Sequence, residues 1–292
     1  MEAFIDYLKN TKNKAENTLV AYQRDLKAFE LFLEGRGEKN LSDCKESDAA
    51  AYILELNNES KSKATINRKI SSLRAFYDYK LEEGEIKSNP FQRIKSAKND
   101  KRQIEFLTVE EVTALLELPD DTAKGLRDRA LLEFMYGTGA RVTELVRLRF
   151  TDINLKMNFV TLKDNEGESR IVPIGSYASR ALQEYIDQAF EEIKGEPRAK
   201  DDYLFINFRG QPLTRQGIWK ILKEYGKELD IEDKMTPQIL RNSFAVHILQ
   251  NGGDLKTLQE LMGFEDMSVG IAYLAVLNVR IRDVYNRTHP RA

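Results

Sequence analysis

The sequence predicts a mainly α-helical protein of the α+β class, with a helical bundle followed by a mostly helical domain that holds one small antiparallel hairpin. The chain has 292 residues, enough for about two domains with separate apolar cores. Apolar residues recur at steps of three and four through most of it, as in amphipathic helices. Only residues 158–174, NFVTLKDNEGESRIVPI, read as two strands around a polar turn.

The first domain is expected to span residues 1–90 as a small all-helical bundle. Amphipathic segments cover residues 17–35 and 62–84, each closed by a glycine, and DAAAYILELN lies between them. A proline, many lysines and weak periodicity follow, which predicts a solvated linker at 91–105. The second domain then occupies residues 106–292.

Local signals place the first helices of the second domain. Thr108 and Glu111 have the spacing of a capping box, and an apolar stretch follows them up to Pro119. The helix RDRALLEFMY is broken by GTGAR, and another helix starts near Val142. Four helices are expected after the hairpin, around SRALQEYIDQAFEEI, TRQGIWKILKEYGKEL, TPQILRNSFAVHILQ and DLKTLQELMG. Thr236 is an expected N-cap, with proline at the first helical position.

Composition excludes several functional classes. No apolar run approaches the ~18 residues of a membrane span, and the acidic start lacks the apolar region of a secretory signal, so we expect a cytoplasmic protein without a membrane partner. One cysteine, Cys44, and two histidines exclude an internal disulfide and disfavour a zinc site, although carboxylates remain available for magnesium. Neither GxxxxGK[ST] nor GxGxxG occurs, which argues against nucleotide hydrolysis.

Charge is balanced overall but uneven along the chain. Lys plus Arg is 45 and Asp plus Glu is 47, a formal net charge of −2. Residues 61–76 nevertheless contain no acid and five bases. Such a stripe predicts either a phosphate-binding surface or a solvated helix face. The five bases are Lys61, Lys63, Arg68, Lys69 and Arg74.

Several motifs follow one another in a specific order along the chain. GTGARVTEL precedes a hairpin lysine, then comes TPQILRNSFAVHILQNGGDLKTLQELMGF, and a tyrosine stands nine residues after its final Phe264. This order resembles the tyrosine recombinase (phage integrase) family, and the ending THPRA resembles its Xer-type members. The long motif is specific, whereas the short ones alone are typical of helix ends. The resemblance implies a SAM-like core-binding domain at the N-terminus and a catalytic domain after it.

The resemblance also implies an active site that needs neither cofactor nor metal. Tyr273 would attack a DNA phosphate and store the bond energy in a 3′-phosphotyrosyl link. Arg141 and Arg241 would stabilise charge on the phosphate oxygens, with Glu144 orienting Arg141. Lys163 would protonate the leaving oxygen. Taken singly, Tyr273 is more typical of a core aromatic, either arginine of a salt bridge, and Lys163 of a solvated surface.

Two positions depart from the family pattern. Gln238 stands where a histidine is usual, and Phe264 stands where histidine or tryptophan is usual. Gln238 keeps an amide donor but cannot titrate near neutral pH, and Phe264 offers no donor. Both changes predict slower catalysis, and both are equally compatible with plain packing.

The leading hypothesis is a site-specific recombinase that cuts and rejoins DNA, for chromosome dimer resolution or mobile-element integration. The implied partners are double-stranded DNA, a homo- or hetero-tetramer on two sites, a second Xer-type recombinase and a division-linked DNA translocase. Arg68, Lys69 and Arg74 are candidate phosphate contacts of the first domain. The alternatives are a catalytically impaired DNA-binding or regulatory member and a helical adaptor with chance motif matches.

Overall fold

The computed structural model describes residues 1–37, 40–97, 104–164, 167–195 and 202–288, and from 278 to 288 it describes the backbone alone. The chain forms two compact units, Met1–Arg102 and Gln103–Ala292. Part of the predicted linker, residues 98–103, lies outside the described residues, as do the last four residues of the THPRA ending. The division at 1–90, 91–105 and 106–292 stays a prediction.

Among its described residues, the first unit has four α-helices around one aromatic-rich core. The first of them was not predicted, while the second ends at Gly35 and the fourth just before Gly84, as the sequence indicated. The Oγ of Ser62 caps the fourth helix by accepting from the backbone nitrogen of Thr65 at 3.2 Å. The helices are α1 (Glu2–Asn10), α2 (Glu16–Gly35), α3 (Glu46–Asn58) and α4 (Lys63–Glu82).

The segment after α4 differs from the solvated linker that the sequence predicted. Phe91 is fully buried in the core of the first unit. Asn89 donates to the carbonyl oxygen of Arg74 at 3.0 Å and accepts from the backbone nitrogen of Phe91 at 2.8 Å. Arg74 in turn donates to the carbonyl oxygens of Phe91 and Ile94, at 3.2 and 2.6 Å. One buried ring and these hydrogen bonds therefore hold the segment against α4.

The second unit contains nine helices among its described residues. The helix break predicted at GTGAR is present, because Gly139 closes α6 in the left-handed region (φ 59°). The helices are α5 (Val109–Glu117), α6 (Ala123–Thr138), α7 (Val142–Leu145), α8 (Ser176–Gln188), α9 (Phe190–Lys194), α10 (Arg215–Glu228), α11 (Pro237–Gln250), α12 (Leu255–Met262) and α13 (Met267–Thr288).

Side-chain caps set the starts of several of these helices. The predicted capping box is confirmed: Thr108 Oγ1 accepts from the backbone of Glu111 at 3.2 Å, and Glu111 accepts from the backbone of Thr108 at 2.8 Å. Thr236 caps α11 ahead of Pro237, also as predicted. Asp254 caps α12 through the backbone nitrogen of Thr257 at 2.7 Å. These caps fix where α11 and α12 begin.

The hairpin predicted at residues 158–174 is confirmed and forms part of a three-stranded antiparallel sheet. The strands β1 (Ile153–Asn154), β2 (Phe159–Lys163) and β3 (Ser169–Pro173) follow one another in order. Val160 pairs with Val172, and Lys163 pairs with Ser169. Since side chains alternate along a strand, Val160 and Leu162 are buried while Lys163 is exposed at the strand end.

A small apolar cluster joins α11, α12 and α13. Its buried members include Phe244, Leu258, Phe264 and Tyr273. The turn between α12 and α13 contains Phe264, and α13 carries Tyr273 into this cluster. The C-terminal helices therefore pack Tyr273 against α11, the helix that carries Arg241.

The fold class that the sequence predicted is confirmed: the chain is mainly helical, with one small antiparallel sheet. In the part of the chain that the structure describes, no helix combines the length and apolarity needed to cross a membrane.

Gly139→Ala is expected to destabilise the second unit. A Cβ at this position would lie 2.5 Å from Phe244 Cδ1, and φ is positive. We expect a loss of about 1–3 kcal/mol. Urea unfolding followed by the fluorescence of Trp219, the one tryptophan, measures it.

The matched control is Gly137→Ala, two residues earlier on α6. Its Cβ would meet only Ala178 Cβ, at 3.4 Å, which is ordinary contact. A helical Gly→Ala change stabilises by about 0.5–1 kcal/mol. Equal effects of the two changes would contradict the close approach of Gly139 to Phe244.

Candidate active site

Arg241 is the buried cation of the site. It lies on α11 and is 7% exposed. Its Nη1 donates to the carbonyl oxygen of Gly139, and its Nη2 donates to that of Met262 at 2.6 Å. Burial, reinforced by the positive charge of Arg141, lowers the pKa of Arg241 to about 10. Arg241 therefore stays charged at neutral pH and is held by two backbone carbonyls.

Arg141 is the more accessible cation, with a side chain that is 35% exposed. It stands at the start of α7, and its Nη1 donates to Glu144 Oε1 at 3.0 Å. Its backbone nitrogen donates to Glu144 Oε2 at 2.6 Å, and its Nη2 donates to the carbonyl oxygen of Gly263. The expected contact between Glu144 and Arg141 is thus present. The hydrogen bond to Gly263 joins the guanidinium to the turn after α12.

Glu144 is buried, yet it remains ionised. Burial would raise the pKa of its carboxyl, but hydrogen bonds and charge from Arg170 and Arg141 outweigh burial, and the net pKa is lowered. Arg170 was not predicted from the sequence. It donates to both carboxylate oxygens, at 2.6 and 2.9 Å.

Tyr273 is 5% exposed, and its hydroxyl donates to Asn242 Oδ1 at 3.0 Å. Burial raises the pKa of this phenol, while the charge of Arg241 acts in the opposite direction. The phenol is therefore neutral at pH 7. An amide oxygen is not a base, so Asn242 holds the hydroxyl without removing its proton.

Asn242 is a residue of the site that the sequence reasoning missed. It follows Arg241 on α11, and its Oδ1 also accepts from Gln238 Nε2 at 2.8 Å. Its Nδ2 donates to the carbonyl oxygen of Glu105 at 2.8 Å. The i,i+4 spacing of Gln238 and Asn242 is the one signal that could have found it.

Phe264 lies just after Gly263, which closes α12 in the left-handed region (φ 58°). Its ring packs in the small apolar cluster beside Gly270, where an added Cβ would lie 3.0 Å from the ring. The residue supplies shape and no hydrogen-bond donor to the site.

Lys163 forms an ion pair of its own with Asp152. Its side chain is 59% exposed, and its Nζ donates to Asp152 Oδ1 at 2.6 Å. It lines a pocket of about 400 Å³, whereas Arg141 and Phe264 line a neighbouring pocket of about 470 Å³. Asp164 lines both. The structure thus places Lys163 next to the site, with its charge already satisfied by Asp152.

The three basic candidates of the first unit have partners within that unit. Arg68 and Lys69 both form ion pairs with the buried Asp25, the latter at 3.5 Å. Lys69 Nζ also donates to the hydroxyl of Tyr52 at 3.2 Å. Arg74 donates to backbone carbonyls, as described above. The side chain of Arg68 is 36% exposed, against 12% for that of Lys69.

The grouped residues form a site suited to an anion. Arg141, Glu144, Arg170 and Tyr273 all lie close enough to Arg241 to perturb its pKa. Within this group three guanidinium groups accompany one carboxylate, while Asp164, Glu168, Glu265 and Asp266 line the pocket beside Arg141. Fixed guanidinium groups in a partly buried site stabilise charge that develops on a phosphate, and the phenol stands beside them.

Comparison with known proteins agrees with this geometry. The model of the phage integrase family matches residues 105–279, and that of the phage integrase N-terminal SAM-like domain matches residues 1–84. A protein of Caldanaerobacter subterraneus subsp. tengcongensis that is named as a tyrosine recombinase is 42% identical over 291 residues, covering 99% of this chain and 97% of that protein.

Further matches agree on family and fold. Tyrosine recombinase XerD of Listeria monocytogenes serotype 4b is 38% identical over 294 residues, covering 100% of this chain and 99% of that protein. The crystal structure of the XerH site-specific recombinase bound to a palindromic difH substrate superposes with a TM-score of 0.77 at 21% identity, over 96% of this chain and 82% of that one. This last likeness establishes the shared fold.

The two family matches together span most of the sequence, and the identities to named recombinases extend over its full length. The chain therefore belongs to the phage integrase family and is a tyrosine recombinase, an enzyme of site-specific DNA cleavage and rejoining.

Proposed function

We propose that Tyr273 is the nucleophile of this recombinase and that Arg141 and Arg241 bind the scissile phosphate. The phenolic oxygen forms a bond to phosphorus while the bond from phosphorus to the 5′ oxygen breaks. The products are a 3′-phosphotyrosyl link and a free 5′ hydroxyl. Because one phosphate ester replaces another, reversal by a different 5′ hydroxyl rejoins the strands without external energy.

The proton balance assigns roles to two further residues. Tyr273 releases its proton to solvent water, and the leaving 5′ oxygen gains one from a donor that water then reprotonates. Lys163 supplies that proton once its ion pair with Asp152 opens toward the DNA. Gln238 gives up its hydrogen bond to Asn242 and donates to the phosphate instead, in the place where the family usually has histidine.

One observation supports this assignment most strongly. The hydroxyl that would attack and the guanidinium of Arg241 are close enough to shift each other's pKa, and both are fixed by hydrogen bonds. The spacing of these residues along the sequence also resembles that of the family. Sequence pattern and three-dimensional grouping therefore support the same chemistry independently.

The biological role is proposed from the roles of the named relatives. The most similar named proteins include XerD recombinases, and a structure of the same fold is a XerH complex with its DNA substrate. Accordingly, four protomers act on two duplex sites in the cytoplasm, alone or with a second Xer-type recombinase and a division-linked translocase. Chromosome dimer resolution is the first role to test, and mobile-element integration the second.

The first unit is proposed as the core-binding half of a DNA clamp. Arg68 is the best candidate for a phosphate contact there, because over a third of its side chain is exposed beside Asp25. Lys69 is only 12% exposed and is shared between Asp25 and the hydroxyl of Tyr52, and Arg74 secures residues 91–94. Both can add positive potential without touching DNA.

A catalytically impaired member that only binds DNA is the second candidate, motivated by Gln238 and Phe264. It is not favoured, since the relatives are recombinases and the nucleophile, both arginines and the lysine are all present. The adaptor hypothesis loses its basis, because family models cover residues 1–84 and 105–279.

The wild-type chain is expected to form a covalent adduct with DNA that Tyr273→Phe abolishes. Randomly nicked genomic fragments of the source organism serve as substrate. A nick shortly 3′ of the cleaved bond lets the short strand that bears the free 5′ hydroxyl diffuse away, which traps the adduct. Denaturation, recovery of protein-linked strands and sequencing then reveal both activity and site. Tyr177→Phe, a change at an exposed tyrosine, is the matched control and should leave the adduct intact.

Persistence of the adduct in Tyr273→Phe would contradict the nucleophile assignment. Retention of duplex DNA by the wild type without any adduct would favour the impaired alternative.

Gln238→His combined with Phe264→His is expected to speed cleavage at the recovered site. One added donor to a preorganised transition state contributes on the order of tenfold or more. The variant should also gain an inflection near pH ~6.5, the ordinary histidine pKa. Single-turnover rates across pH measure both effects.

The wild type should lack the histidine inflection in its pH profile. Its rate should rise steadily from about pH 6 to about pH 9, because burial raises the pKa of Tyr273 above the ordinary ~10. No gain from the double change would count against the assignment of positions 238 and 264.

A further inference from the structure

Arg170, on β3, is the most fully engaged side chain next to the site. Its Nε donates to the carbonyl oxygen of Leu261 at 2.7 Å. Its Nη1 and Nη2 donate to Glu144 Oε1 and Oε2 at 2.6 and 2.9 Å. The side chain is 13% exposed. All three nitrogens of one planar group are thus committed within the protein, in the two-pronged geometry that only arginine provides.

Glu144 connects Arg170 to Arg141. Each oxygen of the buried carboxylate accepts one hydrogen bond from Arg170 and one from Arg141, whose donors are Nη1 and the backbone nitrogen. Four donors saturate the group. Arg141 therefore has its position set by a carboxylate whose own position is set by Arg170.

The stem of Arg170 also packs on the turn that leads to the nucleophile. A Cβ added at Gly263 would lie 2.9 Å from Arg170 Cδ. The carbonyl oxygen of the same glycine accepts from Arg141 Nη2. Arg170 thus contacts the end of α12, directly before Phe264 and the helix that carries Tyr273.

The charges of these side chains show why the pairing of Arg170 with Glu144 matters for the reaction. Glu144 carries one negative charge, and Arg141 with Arg170 carry two positive ones. With Arg170 present, one positive charge remains for the phosphate. Without it, the buried carboxylate would be compensated by Arg141 alone, and the pair would have no net charge to offer an anion.

We propose that Arg170 is a positioning residue for strand cleavage, which neutralises Glu144 so that the charge and orientation of Arg141 are available to the scissile phosphate. The inference rests on the proposed function of Arg141. Arg170 itself does not contact DNA. Lysine would restore the charge but not the fork, that is, the two parallel hydrogen bonds that a guanidinium donates to one carboxylate. A single ammonium cannot bind both carboxylate oxygens and the Leu261 carbonyl in this geometry.

The test compares Arg170→Met with the wild type on two nicked duplexes of the site recovered in the adduct selection. One has a normal scissile phosphate, and the other a methylphosphonate, in which a methyl group replaces a nonbridging oxygen and removes the negative charge. DNA affinity is measured separately by titration. Arg180→Met is the matched control, because Arg180 is exposed on α8 and lies against Tyr177.

On the normal phosphate, Arg170→Met is expected to lower the single-turnover rate about a hundredfold with DNA affinity within about threefold. On the methylphosphonate the deficit should shrink to less than about tenfold, because a neutral group depends less on the freed charge of Arg141. Arg180→Met should match the wild type on both substrates. A merely structural role would give the same deficit on both.

Three results would overturn the proposal: an unchanged rate, an equal deficit on the two substrates, or a loss confined to DNA affinity. If Arg170→Met fails to fold, Arg170→Lys replaces it and should cleave the normal phosphate at least tenfold more slowly than wild type; a wild-type rate would refute the need for the fork. A wild-type chain that forms no adduct would instead refute the proposed function.

Discussion

The buried carboxylate of Glu144 is the interaction on which the site depends. It receives four hydrogen bonds from two arginines, and those arginines reach the hairpin, the start of α7 and the turn after α12. A buried ion pair adds little to stability, because desolvation offsets much of its attraction. Its value here is geometric: three elements distant in sequence are fixed around one anion. Arg141, whose side chain is 35% exposed, is the guanidinium of this pair that solvent reaches more easily.

The proposed nucleophile, Tyr273, is also held by hydrogen bonds within the protein. Tyr273 donates to an amide oxygen that cannot take its proton, and Gln238 donates to that same oxygen. Burial keeps the phenol neutral. Lys163 is likewise occupied by Asp152. In the proposed mechanism, DNA binding exchanges these internal hydrogen bonds for bonds to phosphate, which would couple cleavage to the presence of the substrate.

Local pattern was enough to predict much of the fold and part of the site. Periodicity, caps and the hairpin composition depend on neighbouring residues, so the helix break before Gly139 and the cap at Thr236 could be predicted. Arg170, Asn242 and Asp152 were missed, because their partners Glu144, Tyr273 and Lys163 lie 26, 31 and 11 residues away. Such pairs exist only after folding. The basic stripe was ambiguous for the same reason, since Arg68 meets Asp25 from 43 residues earlier.

The most direct test is a structure of the chain with its nicked site and vanadate, which adopts the five-coordinate geometry of a phosphate under attack. We expect vanadium to be bonded to the Tyr273 oxygen on one side and to the DNA 5′ oxygen on the other. Its equatorial oxygens should accept hydrogen bonds from Arg141 and Arg241 at about 2.7–2.9 Å. Vanadium bonded to another residue would contradict the assignment of Tyr273 as the nucleophile. Either guanidinium turned away from the vanadium would contradict its assignment to the scissile phosphate.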